Sequence, residues 1–396
     1  MEEITFSFHK HGVRSVETLS RLLGEFEQQY GIRVHLEVIP SWMVGWSRLM
    51  EIALYHSGPD ISEVGDTWVG DLVRMEALRP FKQKEVNEIT QGARYFDAVW
   101  RSSTWDEYGT PTVYSMPLVS DVRVVYYRRD LLEKAGVNEA TAFEDFAHFE
   151  KTLSSLKEKG IPIPLALPTR NSHLTIQYLA SWIWGAGGDF LSPDGTSLAF
   201  DQPQALEGCK TYFRLVHYLG PEARDLEESG EEVVFGSGKA AILPSGFWIL
   251  SNELAPEVRK NLGVVPMPGI PFVGGHHVII WNHSRHEVSA IKLIEFLHTE
   301  AVGKVLYPWF GLPISENGWT DPPFDSELYQ VFKTSLQKGR GFPTARLWGL
   351  VEKRLMDTYS DIWAEVLKAP ESQLDTIVET RLNNLAHRLQ LSMESG

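Results

Sequence analysis

Between residues 4 and 39 the apolar residues change their spacing twice, and this change narrows the possible folds more than any other feature of the chain. Ile4, Phe6 and Phe8 alternate with polar residues, the period of a half-buried strand. Val16, Leu19, Leu22, Leu23, Phe26 and Tyr30 then recur at helical spacing until Gly31 stops the run. Residues 32–39 alternate once more. A strand, a helix and a strand in so short a span make a β-α-β unit, with parallel strands and a right-handed crossover. The expected class is α/β.

The next strand falls at Asp60–Val64, and Gly65-Asp66-Thr67-Trp68 follows it as a loop leading into a helix through Leu72, Met75 and Leu78. Ligands of open α/β sheets collect at the carboxyl ends of strands, which makes Asp66 and Trp68 site candidates. Residues 114–127 are extended but are broken at Pro117 and Ser120-Asp121, and a first passage between domains is expected near Asp121. A second lobe then builds up. It has a helix over 142–159, an aromatic helix around Tyr178–Trp184 ended by Gly185-Ala186-Gly187-Gly188, and a strand over 240–243. The turn Pro244-Ser245-Gly246-Phe247-Trp248 is expected to open another helix. The Pro- and Gly-rich stretch 263–275 reads as the return passage, 279–306 as a strand and an amphipathic helix, and 324–391 as helical. No repeat of fixed period is present.

A chain of 396 residues exceeds what one hydrophobic core organises, so two domains are expected. No apolar stretch approaches the roughly 20 residues of a membrane span. The net charge of −15, with no basic run longer than Arg128-Arg129, argues against nucleic acid as a partner. Cys209 is the only cysteine, so no internal disulfide can form. Met1 is followed by Glu2 and Glu3 with no basic or apolar leader region, which taken alone fits the cytoplasm. The 13 tryptophans are as many as the tyrosines, and many lie beside Gly, Ser, Asp or Pro, positions that tend to line a cleft.

Several chemistries are absent. Gly236-Ser237-Gly238-Lys239 is no phosphate loop, because Val233 and Ala240 stand where that motif needs Gly and Ser or Thr. Residues 185–188 follow a helix rather than a strand and make no dinucleotide fingerprint. His9 with His11, and His276 with His277, complete no metal-ligand set by spacing, so neither metal nor cofactor is expected. No nucleophile elbow is present, and Cys209 sits on a helix face after Leu206. Asp66 and Asp121 keep one enzyme alternative open, since glycoside hydrolysis uses two carboxylates about 5 to 10 Å apart.

Seven stretches, in order along the chain, carry a family resemblance. They are residues 22–38; Pro59-Asp60-Ile61 through Trp68; Met116-Pro117 with 121–132; Trp184-Gly185-Ala186-Gly187-Gly188-Asp189-Phe190; Phe235-Gly236-Ser237-Gly238-Lys239-Ala240-Ala241; Ser245-Gly246-Phe247-Trp248; and Gly274-Gly275 before 290–297. Together they resemble the family 1 extracellular solute-binding proteins, the maltodextrin-binding class of ABC importers. The resemblance implies a two-lobed periplasmic-binding-protein-like fold of the maltose-binding type. Its N-terminal lobe would hold 1–119 and 271–313, and its C-terminal lobe 124–266 and 318–396. Hinge crossings would lie near 120–123, 267–270 and 314–317. It further implies a monomeric, non-enzymatic receptor that closes on a sugar or polyol and delivers it to the importer's membrane permease. A phosphorylated polyol or another small solute on the same fold is the alternative ligand. The location implied is periplasmic or cell-surface anchored, the leader being absent from this sequence. Ligand contact would fall on His9, His11, Trp42, Asp66, Trp68, Asp121, Arg123, Trp184, Trp248, Gly275, His276, Trp309 and Arg346. A pyranose suits such a set, because its C–H face stacks on indole while its hydroxyl rim needs charged or amide partners.

Overall fold

The computed structural model describes residues 2–11, 14–40, 42–106, 111–170, 172–226, 229–251, 253–345 and 347–394. The strands run in chain order as β1 (Glu2–His9), β2 (Ile32–Ile39), β3 (Ile61–Gly65), β4 (Thr104–Asp106), β5 (Pro111–Val113), β6 (Met116–Val122), β7 (Val124–Arg128), β8 (Ile163–Leu165), β9 (Ala240–Ser245), β10 (Leu262–Pro266) and β11 (Val273–Ile280). One sheet has the order β2-β1-β3-β11-β6, a second β10-β7-β9-β8, and β4 with β5 forms a small antiparallel pair. The chain divides into two compact units. Unit 1 comprises Met1–Asp121, Val273–Lys333 and Gly341–Arg346, and unit 2 comprises Val122–Phe272, Thr334–Arg340 and Leu347–Gly396.

In unit 1 the opening β-α-β unit forms as the spacing requires. β1 pairs parallel with both β2 and β3, and β11 runs antiparallel to β3. Helix α1 (Ser15–Tyr30) turns Leu19, Leu22, Leu23 and Phe26 inward onto Ile4, Phe6 and Phe8. Burying each such side chain contributes about 2 to 3 kcal/mol. Gly31 ends the helix in a left-handed conformation (φ 68°), its N–H donating to Glu27 O at 2.9 Å. A side chain there would be strained, which is why glycine stands at this position. Residues 314–317, expected as a crossing, lie inside unit 1. The chain around them is tied to β6 and its neighbours: Ser120 and Leu312 exchange backbone hydrogen bonds of 2.8 Å, and Tyr95 bridges Ser315. The divisions between units fall instead after Asp121, Phe272, Lys333, Arg340 and Arg346.

In unit 2 the helix Ser172–Gly185 packs on the helix Pro203–Arg214 and on Trp348–Val366. Their core is aromatic, with Tyr212 edge-on to Trp182 at 5.2 Å and to Trp363 at 5.8 Å. A Cβ on Gly208 would stand 2.6 Å from Trp182 O, so only glycine permits this approach. Cys209 on the same helix is fully buried, and burial pushes its thiol up to about 12 against a hydrogen bond with Tyr359. Two expected elements differ in kind. The residues after Ser245 form a single 3-10 turn, Phe247–Ser251, rather than a longer helix, and Leu78 bridges Trp281 instead of continuing the helix Val69–Arg74. No helix among the described residues is long and apolar enough to cross a membrane.

Candidate functional site

Unit 1 concentrates its polar side chains where β1 and β3 end and β11 begins. β3 is buried along its whole length, yet it carries Glu63, which is 0% exposed. A carboxylate in that position needs donors for both oxygens. The His9 backbone N–H donates to Glu63 Oε2 at 2.8 Å, and His9 Nδ1 lies at the same distance from it. The other oxygen, Oε1, faces His11 Nε2 at 3.0 Å and is also hydrogen-bonded to His276 Nδ1. The register explains the convergence. Val278 pairs with Glu63 and His276 with Gly65, so strand alternation puts His276 on the face that Glu63 occupies. The His11 and His276 rings stand nearly perpendicular, 86° apart, with centroids 4.4 Å from one another.

Burial by itself would raise the Glu63 pKa, but His11, His9 and His276 outweigh it and hold the carboxyl well below its usual range. Burial lowers His11, against the opposing pull of Glu63. For His276 burial acts downward too, but the charge and hydrogen bond of Glu63, helped by Asp121 and Asp66, carry it above its ordinary value. Asp66, in the 3-10 turn after β3, is pushed up to about 7 by burial, opposed by His276 and by hydrogen bonds from the Thr67 and Gly275 backbones. A Cβ on Gly275 would lie 2.3 Å from Val119 O, so glycine lets β11 approach β6 while its N–H serves Asp66. Trp68 is partly accessible and lies against His9 (5.9 Å) and Trp46 (5.3 Å).

Unit 2 gathers a different set around Arg123, in the short break between β6 and β7. Its guanidinium carbon lies 4.7 Å from the Trp248 ring centroid, 5.6 Å from Phe272 and 5.9 Å from Tyr178. Arg123 donates to Gln177 Oε1, and the Gln177 amide reaches His173 Nε2 at 2.9 Å. Trp248 is partly accessible, and its indole N–H donates to buried Glu232, which also accepts from Ser245 Oγ at 2.9 Å. Gly246 supports that ring, since a Cβ there would meet it at 2.0 Å. Also in unit 2, Arg340 stacks over Trp184 at 4.9 Å and pairs with Asp189 at 2.7 Å.

The family model for bacterial extracellular solute-binding proteins matches residues 12–304. The chain belongs to that family. It is 25% identical to a binding protein of Brucella abortus over 279 residues, 67% of this chain, and the chain spans only 64% of that relative's length. A maltodextrin-binding protein of Bacillus subtilis is 25% identical over 213 residues, 49% of this chain and 48% of that protein. Among solved structures, the sugar-binding protein of Xanthomonas citri matches with a TM-score of 0.80 at 20% identity over all of both chains. That likeness shows the fold, the two-lobed, maltose-binding-protein-like α/β architecture. The family and its structural neighbours are binding proteins rather than enzymes.

Within this family frame, the expected site residues divide between the two units. His9, His11, Asp66, Trp68, Gly275 and His276 come together in unit 1, and Asp121, at the end of that unit's first segment, acts electrostatically on both His276 and Asp66. Arg123 and Trp248 come together in unit 2. His9 is only 1% exposed and serves the set through Glu63. Trp184 is 3% exposed, its N–H donating to Asp189 at 3.2 Å, which makes it part of the packing of unit 2. Trp309 is 40% exposed beneath the guanidinium of Arg14, 5.0 Å away. Trp42 opens the helix Trp42–Tyr55, its side chain outside the described residues, and Arg346 also lies outside them. Sequence reasoning missed Glu63, Gln177, His173 and Glu232. Only Glu63 carried a local signal, a charge in the middle of a short strand beside Ile61 and Val64.

Proposed function

We propose that this chain is the receptor component of an ABC importer, and that it binds a neutral carbohydrate or polyol for delivery to a membrane permease. The supporting observation is Trp248, a partly accessible indole fixed by Glu232, Gly246 and Arg123. A flat apolar platform rimmed by charged and amide groups matches the C–H face and hydroxyl rim of a pyranose. In unit 1, Asp66, Trp68 and Asp121 supply the same combination of aromatic face and oxygen acceptors. The relatives named for maltodextrin and sugar binding support the same ligand class. Covering about 100 Å² of sugar on one indole contributes roughly 2.5 kcal/mol, and two or three such contacts suffice for micromolar affinity.

A thermal-shift screen against mono- and oligosaccharides, polyols and glycerol phosphodiesters tests this reading, since a ligand that binds only the folded state raises the melting temperature. One sugar class should produce a clear rise, and Trp248→Ala should weaken that sugar's binding by roughly 50-fold or more. A rise with phosphorylated compounds alone would overturn the neutral ligand. Turnover of chromogenic glycosides, abolished by Asp121→Asn, would overturn the receptor assignment itself.

A further inference from the structure

The histidine and glutamate cluster of unit 1 has a second chemical capacity. His11, Glu63 and His276 each offer one ligand atom, and these atoms lie within 4.8 Å of one another. Spacing in the sequence concealed the set, because its carboxylate comes from β3 and its second imidazole from β11, 265 positions after His11 (276 − 11). From this arrangement we propose that His11 Nε2, His276 Nδ1 and Glu63 Oε1 form a binding site for a divalent transition metal ion of the zinc class.

Four features of the cluster favour a metal. The donor set, two imidazoles and one carboxylate, is the type that binds zinc, with metal to ligand distances of about 2.0 to 2.2 Å. Ligand atoms around such an ion stand roughly 3.3 Å apart, the edge of a tetrahedron of that radius. The pair His11 Nε2 and Glu63 Oε1, at 3.0 Å, is already within a few tenths of an ångström of that edge. The perpendicular rings of His11 and His276 approach one carboxylate oxygen from different directions, as ligands around one ion must.

The remaining feature is the support behind the ligands. Glu63 uses its other oxygen, Oε2, for the His9 backbone N–H and for His9 Nδ1, both at 2.8 Å. A ligating carboxylate held from behind in this way keeps its orientation when the front oxygen exchanges hydrogen-bond donors for an ion. His9 is thus a positioning residue, outside the coordination sphere. The ion would replace the two imidazole contacts to Oε1, and the neutral rings would present lone pairs where they now face the carboxylate.

The test uses the full chain without sugar, so that its failure would leave the carbohydrate reading standing. Zn2+ is titrated calorimetrically after chelator treatment, and Co2+ is titrated while its ligand-field absorption is followed. The wild-type protein should bind one equivalent of Zn2+ with micromolar or tighter affinity, and bound Co2+ should show a visible spectrum that Zn2+ abolishes. His11→Gln changes a partly exposed side chain, and it should weaken Zn2+ binding by about 100-fold or more with an unchanged circular dichroism spectrum. His276→Gln should do the same, while His9→Gln should cost about 10-fold and alter the Co2+ band, as expected of a residue acting through Glu63. Absence of saturable Zn2+ binding below about 100 μM, or an affinity that neither His11→Gln nor His276→Gln changes, would overturn the site.

Discussion

Glu63 in unit 1 gathers three imidazoles, whereas Glu232 in unit 2 gathers an indole and a hydroxyl. Both carboxylates are buried, and both are offset by donors as buried charges must be. The donors differ in what else they can do. Imidazole nitrogens can change protonation, change tautomer or bind a metal, so the state of the unit 1 cluster responds to its surroundings. Indole, hydroxyl and guanidinium keep one state across the physiological range, so the unit 2 cluster is a fixed scaffold for one aromatic ring. Similar burial of a carboxylate has therefore produced an adaptable cluster in one unit and a rigid platform in the other.

The largest effect should come from Glu63→Gln. Each Glu63 oxygen now faces donors, and the amide would turn an N–H toward another N–H while removing the charge that holds His276 above its usual pKa. Chemical denaturation should show a loss of about 3 kcal/mol in unfolding free energy. A loss below about 1 kcal/mol would mean that the three histidines need no anion.

Glu232→Gln should act on binding more than on stability. Gln keeps an oxygen that can accept from both Trp248 and Ser245 but loses the charge that strengthens these bonds, so Trp248 keeps part of its anchor. Affinity for the sugar identified by screening should fall about 5- to 10-fold, roughly 1 to 1.4 kcal/mol, with a smaller stability change than Glu63→Gln. Equal destabilisation by the two variants would erase the difference between adaptable cluster and rigid platform.

The smallest effect concerns His173, the one imidazole in the unit 2 set. Burial, with Arg123 adding to it, pushes His173 down to about 4. Its Nε2 accepts from the Gln177 amide, whose oxygen serves Arg123, so protonation would break a relay that starts at the guanidinium. The unfolded chain takes up this proton near pH 6.5 and the folded one only near pH 4. The contribution of neutral His173 to stability is therefore full above pH 6.5 and is lost as pH falls from there toward 4. An NMR titration of the ring should give a midpoint near 4, and a midpoint near 6.5 would show that unit 2 also contains an adaptable imidazole.

The sequence made some of these features visible and hid others for physical reasons. The β-α-β opening was legible because strand and helix periods switch cleanly at Ile4, Val16 and Ile32, and the position of Asp66 and Trp68 followed from a strand that ends at Gly65. Glu63 was not recognised because a charged residue in a short strand normally points to solvent, and only the pairing of β3 between β1 and β11 shows that it is enclosed. The relay through Gln177 and His173 lies on a helix whose aromatic residues dominate its pattern, and nothing local tells which polar residue meets Arg123 some fifty positions earlier. Trp248 was placed at the right turn, but the turn is a single 3-10 segment because Gly246 and the anchored indole fix its direction at once.

Cys209, buried on the helix Pro203–Arg214 with its thiol pushed up to about 12, has a practical consequence. Thiolate is the form that alkylating dyes attack, and almost none of this cysteine is thiolate at neutral pH. A second cysteine introduced at an exposed position would thus be the only thiol to take a fluorophore, with the native residue left in place. A single reporter could in this way be attached to the folded chain at a chosen position.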